Sequence, residues 1–274
     1  RAAGPPHDGE PGVNRRYGSW ALITGASDGI GRELAILIAG DGLNVVLVAR
    51  TEGALRALAA EIEAGHGVQT MVVPADLADQ HAVEHVEELT SGLDVGLVVL
   101  AAGFGTTGSV LETPLADEMS LIAVNITAVT RLAHTFAARL ARRGAGGLIL
   151  FGSIVGWQGV PGQANYAASK AYVQSLAEGL HDELRPHGVD VLSVAPGPVA
   201  SGFGSRAGLA MTAATPAAVV ARVARKALGR GGTVVPGARG SFLTAALAPL
   251  PRRIRSLILG RVIAGMRTGV PVGA

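Results

Sequence analysis

The 274-residue chain contains no cysteine. Disulfides and thiolate metal sites are therefore excluded, and the redox compartment is left open. Charged residues are scarce, at 16% against about 25% in a typical soluble domain. No carboxylate occurs after Asp190. Residues 1–190 hold 12 Lys and Arg against 21 Asp and Glu, for a net −9; residues 191–274 hold 11 and none, for +11. Such a split points to an anionic partner for the basic part. Aromatic residues are 4% of the chain. The basic segment does not interleave them with its cations, so no nucleic-acid partner is expected. No apolar run reaches 18 residues, and no spanning helix is expected. No apolar leader core is visible near Arg1, and a leader already removed is left open.

What the chain does have is alternation. Short apolar runs at Trp20–Thr24, Asn44–Arg50, Val68–Pro74, Leu97–Ala101, Leu148–Gly152, Val189–Ala195 and Thr233–Val235 read as strands. Helical stretches lie between them, at about 30–39, 52–64, 79–90, 117–143, 164–185 and 216–228. Continuous apolar strands suit a parallel sheet covered on both faces. Strand and helix in turn predict an α/β fold, a doubly wound sheet of about seven strands (a Rossmann fold) in one domain. The length is enough to bury its core without staples. Residues 1–17, rich in Pro and Gly, read as a flexible tail. The domain is expected over 18–236. Residues 237–274, apolar and basic, read as a C-terminal extension of two helical pieces broken at Pro249–Pro251.

Two stretches carry chemistry. The first is TGASDGIG, Thr24 to Gly31, between the first strand and the first helix. Gly25, Gly29 and Gly31 let the backbone turn tightly and approach a pyrophosphate. The helix N-terminus adds unpaired N–H groups and a positive dipole end. The tip of the second strand selects between nicotinamide cofactors. An acid there would bond a free ribose 2′-hydroxyl, whereas an arginine would meet a 2′-phosphate. The chain has Arg50 and no acid, which favours NADP(H) over NAD(H). Asp28 inside the turn argues mildly the other way.

The second stretch runs from Ser153 to Lys170. Tyr166 and Lys170 stand at i and i+4 on a helix and share a face. A phenol titrates near ~10, and a nearby cation favours its ionised form. A tyrosine so tuned can exchange a proton near neutral pH. By itself the pair is common and weak.

Taken together, these motifs resemble the short-chain dehydrogenase/reductase family over about Gly18 to Pro236, loosely its 3-ketoacyl and 17-ketosteroid reductase branch. The resemblance implies cofactor contacts from Gly25, Ser27, Asp28, Gly29, Ile30 and Gly31, and from Asp76-Leu77, which would bracket the adenine. It implies contacts from Ala102 and Gly103, from the 196–201 loop (Pro196, Gly197, Val199, Ser201), and from Tyr166 and Lys170. It implies catalytic roles for Asn125 (holding a relay water), Ser153 (fixing the carbonyl), Tyr166 (general acid/base) and Lys170 (lowering the tyrosine pKa). The family's Asn-Asn-Ala-Gly is here Leu100-Ala101-Ala102-Gly103, and packing is expected to replace the lost polar bracing. An oxidoreductase moving a hydride between NADPH and a carbonyl or alcohol is the implied activity. A homo-dimer or homo-tetramer in the cytoplasm is the implied state. A catalytically silent NADPH-binding sensor or scaffold is the alternative.

Phe104, Val155, Trp157, Gln163 and Phe203 lie on segments beyond the strand ends and are the substrate-pocket candidates. They predict a mainly apolar ketone: ketoacyl, steroid or polyketide-like. His81 and His85 could hold a metal, but the acids around them suit a solvated face, so no metal is expected. The basic C-terminal segment could meet an anionic carrier or membrane surface, or bury its apolar residues at a subunit interface.

Overall fold

The computed structural model describes residues 16–211 and 214–267. The expected tail therefore lies outside the described residues except for Arg16 and Tyr17, and those two are not tail. Tyr17 is buried and its hydroxyl donates to Asp190 at 2.9 Å. Arg16 pairs with the same carboxylate at 2.6 Å. Gly147 leaves room for the ring: a Cβ there would meet Tyr17 Cε1 at 2.9 Å.

Seven parallel strands form the sheet in the order β3-β2-β1-β4-β5-β6-β9. They are β1 (Trp20–Thr24), β2 (Asn44–Ala49), β3 (Thr70–Pro74), β4 (Val95–Leu100), β5 (Gly146–Phe151), β6 (Val189–Val194) and β9 (Thr233–Val234). A separate two-stranded ladder, β7 (Val199–Ala200) with β8 (Thr215–Pro216), was not legible in the sequence, being only two residues per strand. Successive strand residues face opposite sides. Ile23, Leu47, Val99 and Ile149 enter the core on one face. Leu22, Val46, Val98 and Leu148 enter it on the other.

The helices cover both faces. On the first lie α1 (Gly29–Gly40), α2 (Glu52–His66) and α7 (Ala217–Ala227), contributing Leu34, Leu55 and Val220. On the second lie α3 (Gln80–Leu89), α4 (Leu115–Arg143) and α5 (Ala164–Leu184), contributing Val86, Phe136 and Val173. Helix α4 is long and apolar enough to cross a membrane by length and composition. Here its Leu132, Phe136 and Leu140 pack into the core. It contains one π-helical turn, Ala123–Ala128, which carries Asn125. A short α6 (Phe203–Arg206) follows β7.

The C-terminal segment forms α8 (Ala238–Leu247) and α9 (Arg252–Met266), off the sheet as expected. Both pack over the strand ends. Leu247, Leu259 and Ile263 join Ile154, Tyr166 and Leu209 in a third apolar cluster.

Strand β1 is flanked by β2 and β4, so the strand order reverses there. Thr24 stands level with Val48 on one side and Leu100 on the other. In open α/β sheets, ligands bind at such a switch point beyond the strand ends.

Candidate active site

A cavity of about 420 Å³ opens along that line of strand ends. One end of it is built by the turn after β1. Gly25 has φ +68°, and a Cβ on it would sit 2.9 Å from the Ala102 backbone. A Cβ on Gly31 would come 2.3 Å from Gly25 O. No side chain larger than hydrogen fits at either place without moving backbone. Behind the turn, helix α1 starts with no side-chain cap bond and no acid in its first turn. Its orphan N–H groups and dipole end suit a phosphate.

Around this end stand Ser27, Gly29, Ile30, Arg50, Asp76, Leu77, Ala102 and Gly103, all in the cavity wall. Pro196, Gly197, Val199 and Ser201 line it from the opposite side. Arg50 is exposed at the tip of β2 and makes no ion pair among the described residues. Asp28 also lines the cavity, but its carboxylate is engaged. It accepts from the Gly202 N–H at 2.9 Å and from two Arg206 nitrogens at 3.2 Å. Asp28 thus ties the glycine turn to the segment that closes over it.

The other end of the cavity holds Ser153, Tyr166 and Lys170. Ser153 closes β5 and caps a 3₁₀ turn, Ile154–Trp157. Its hydroxyl donates to Pro196 O at 3.3 Å and accepts from Val155 N–H at 3.4 Å. It also favours the ionised form of the neighbouring Tyr166 phenol. The first turns of α5 carry Tyr166 and Lys170, both buried. The Tyr166 ring stacks at a tilt on Phe203, centroids 5.4 Å apart.

Burial pushes the Tyr166 phenol well above its usual range, and only the Ser153 hydrogen bond pulls it back. This corrects the expectation that Lys170 depresses it. Lys170 Nζ donates to Phe151 O at 2.9 Å and lies 5.8 Å from the Tyr166 ring centroid. Burial also weakens Lys170 as a cation, pushing it down to about 8. Desolvation in one apolar site is the dominant cause of both shifts.

A stability prediction follows from this depressed ammonium. Between about pH 8 and 10.5 the unfolded chain still holds a proton on Lys170 that the folded chain has lost. Stability therefore rises with pH across that window. Thermal melts at several pH values should show this rise in the wild type and not in Lys170→Met. Equal slopes in the two proteins would refute it.

Asn125 does not line the cavity. Its amide nitrogen donates to Phe104 O at 2.9 Å and to Ser169 Oγ at 3.1 Å, and its Oδ1 accepts from Phe104 N–H at 3.1 Å. A Cβ on Gly103 would approach Asn125 Oδ1 at 3.1 Å and Lys170 Nζ at 3.4 Å. Asn125 therefore braces the strand-end loop beside Lys170. Polar bracing of the 100–103 segment was expected to be lost, yet part of it remains. Thr24 Oγ1 accepts from Ala102 N–H at 3.1 Å and donates to Val99 O at 3.4 Å.

Of the substrate candidates, Phe104, Val155, Gln163 and Phe203 line the cavity. Trp157 does not; it faces a second cavity. In a 3₁₀ turn, residues i and i+3 eclipse, so Trp157 lies under Ile154 while Val155 faces the site. The sequence reading missed Ser120 and Val124 from α4, and Leu243, Leu259, Ile263 and Met266 from the C-terminal helices. The signal for the last three was present. Leu259, Ile263 and Met266 fall at i, i+4 and i+7, one helical stripe. No group of three potential metal ligands exists among the described residues.

The comparisons with known proteins agree with this geometry. Residues 19–210 match the family model for short chain dehydrogenase. A very-long-chain 3-oxoacyl-CoA reductase of Pyricularia oryzae is 38% identical over 181 residues, 64% of this chain. The match spans only 55% of that relative's length. A 7beta-hydroxysteroid dehydrogenase of Clostridium sardiniense is 34% identical over 66% of this chain and 70% of its own. Among solved structures, a 7beta-hydroxysteroid dehydrogenase superposes with TM-score 0.85 at 29% identity, covering 91% of this chain and all of that one. A short-chain dehydrogenase from Sphingobium yanoikuyae in complex with NADPH gives 0.78 at 30% identity, covering 92% and 98%. With its parallel sheet, its glycine turn and its Ser-Tyr-Lys cluster at one end of the cavity, the chain belongs to the short chain dehydrogenase family.

Proposed function

We propose that the protein is an NADP-dependent oxidoreductase acting between a carbonyl and an alcohol of a mainly apolar substrate. One observation carries this reading. A single cavity joins a phosphate-suited glycine turn and Arg50, which has no ion pair among the described residues, to Ser153, Tyr166 and Lys170. The wall near Tyr166 is apolar, with Phe104, Phe203, Leu259 and Ile263. Ketoacyl and steroid ketones fit that wall, and the names of the relatives point the same way.

The residues fit the cofactor. The glycine turn and the start of α1 would hold the pyrophosphate, Arg50 a 2′-phosphate, and Asp76-Leu77 the adenine. Bound there, the nicotinamide would supply or accept a hydride at the carbonyl carbon. The chain's own residues do the rest. As negative charge builds on the substrate oxygen, Tyr166 gives it a proton. At neutral pH the phenol is protonated, which is the donor form, and burial shifts it further that way. Ser153 places a second hydroxyl beside it, an oxyanion-type contribution. Lys170, still mostly charged at neutral pH, offsets charge on Tyr166 after the transfer. The apolar wall keeps water from the reacting atoms.

Assembly as a homo-dimer or homo-tetramer belongs to the same reading. Val110, Leu111, Leu115 and Met119 form an exposed apolar stretch, and such patches mark contact surfaces. Exposed Ile254 and Leu257 on the basic α9 would suit an anionic carrier or membrane surface.

A panel of apolar ketones, followed by NADPH consumption with NADH in parallel, tests the function. Turnover of at least one ketone with NADPH is the expected result. Tight NADPH binding with no turnover across the panel would favour a silent sensor instead.

A further inference from the structure

The second cavity, about 220 Å³, lies directly behind the first. The 154–158 turn and the two C-terminal helices wall it. Ile154, Leu243 and Leu259 line both chambers, and Ile154 follows Ser153 in the chain. The lining is mainly apolar, with Trp157, Leu247 and Ala248. Gln158 also lines it, its amide nitrogen donating to Ile154 O and Val155 O, and two further polar atoms have no such partner. Thr244 Oγ1 and Arg255 Nε, both from lining residues, are buried without a hydrogen-bond partner among the described residues.

A buried donor left unpaired is destabilising, and native folds keep few such groups. Arg255 makes no ion pair among the described residues, and its own segment offers none, since the chain has no acid after Asp190. The apolar remainder of the wall, Ile154, Trp157, Leu243, Leu247 and Leu259, suits an apolar body. A cationic N–H and a hydroxyl at its wall suit a carboxylate, which accepts several bonds at once. The chamber is also smaller than the roughly 300–1,000 Å³ of a whole-ligand pocket. It fits one end of a molecule.

We infer that this chamber is a subsite for the carboxylate end of the substrate, with Arg255 and Thr244 as its polar contacts. The aliphatic segment passes Ile154, Leu243 and Leu259, and the ketone reaches Ser153 and Tyr166. This assignment rests on the ketone chemistry proposed above. It narrows the substrate to an apolar keto acid.

Trp157 makes occupancy visible without turnover, because the only other tryptophan, Trp20, sits in β1. Decanoate and methyl decanoate are titrated into the full-length protein while tryptophan emission is followed. Decanoate should quench saturably and bind about 10-fold more tightly than the ester, the size of one charge-assisted hydrogen bond. Trp157→Phe should abolish the signal, and Arg255→Gln should erase the acid's advantage. Thr244→Val, close in shape, should weaken decanoate by about 3-fold and guards against misfolding of the arginine variant. In kinetics, 9-oxodecanoate should show a KM about 10-fold below that of its methyl ester, with the gap closing in Arg255→Gln. Equal quenching by acid and ester, or an acid preference that survives Arg255→Gln, would overturn the subsite. Decanoate that binds without competing against 9-oxodecanoate would make the acid a separate ligand and overturn the substrate-end assignment. Specific acid binding with neither keto compound reduced would overturn the ketone chemistry while supporting the carboxylate site.

Discussion

Tyr166→Phe is expected to lower kcat for ketone reduction by about 10²–10⁴-fold, the range of a lost general acid. NADPH affinity should stay within about 2-fold, since no uniform binding interaction is removed. The ring itself is retained, and with it the packing on Phe203 at 5.4 Å. Ser153 keeps its bond to Pro196 O, so the β5 end should stay in place. The loss would then report the missing proton and not a collapsed wall. The wild-type phenol is protonated across neutral pH, and burial shifts it further that way, so the reduction rate should be nearly flat up to the titration of Lys170 near 8. A variant keeping more than a tenth of wild-type turnover would remove Tyr166 from the acid role.

Arg50→Asp should carry the second largest effect. NADPH binding is expected to weaken by about 100-fold, which corresponds to losing a charge-assisted contact of about 1.5–3 kcal/mol. NADH should hold its affinity or gain, because the new carboxylate can accept from a ribose 2′-hydroxyl. Arg50 is exposed, so the fold should tolerate the change. Asp28, which argued against a phosphate nearby, carries less weight in the folded protein. Arg206 and the Gly202 N–H already engage its carboxylate. Quenching titrations with both nucleotides read the result directly and need no turnover. An unchanged ratio of the two affinities would show that Arg50 does not select the cofactor.

Much of the glycine-turn end of the cavity was legible before any coordinates. A glycine turn between strand and helix is a local device, and its three glycines stand within seven residues. Continuous apolar strands announced a sheet covered on both faces, and all seven central strands came out parallel. The break at Pro249–Pro251 separated two C-terminal helices for a similarly local reason. Proline cannot continue a helix.

Other features depended on neighbours distant in sequence. Tyr17 read as tail because nothing local reveals Asp190, 173 positions away, or the space left at Gly147. Trp157 read as a wall of the same pocket as Val155 because the phase of a four-residue 3₁₀ turn, which places it in the second chamber, is not legible locally. The C-terminal helices read as an appendage, though their apolar stripe closes the site.

The sequence by itself determined the alternation of strand and helix, the phosphate turn, and the presence of Ser153, Tyr166 and Lys170 in the right order. These follow from periodicity and short-range spacing. The tertiary structure alone decided the burial of that cluster and hence the direction of its pKa shifts. At i and i+4, an exposed lysine would have favoured the tyrosinate. Packed under Phe203 and the closing segments, both groups are shifted chiefly by desolvation. The upward shift of Tyr166 was therefore not legible in the sequence, because burial depends on the whole fold and not on spacing along one helix.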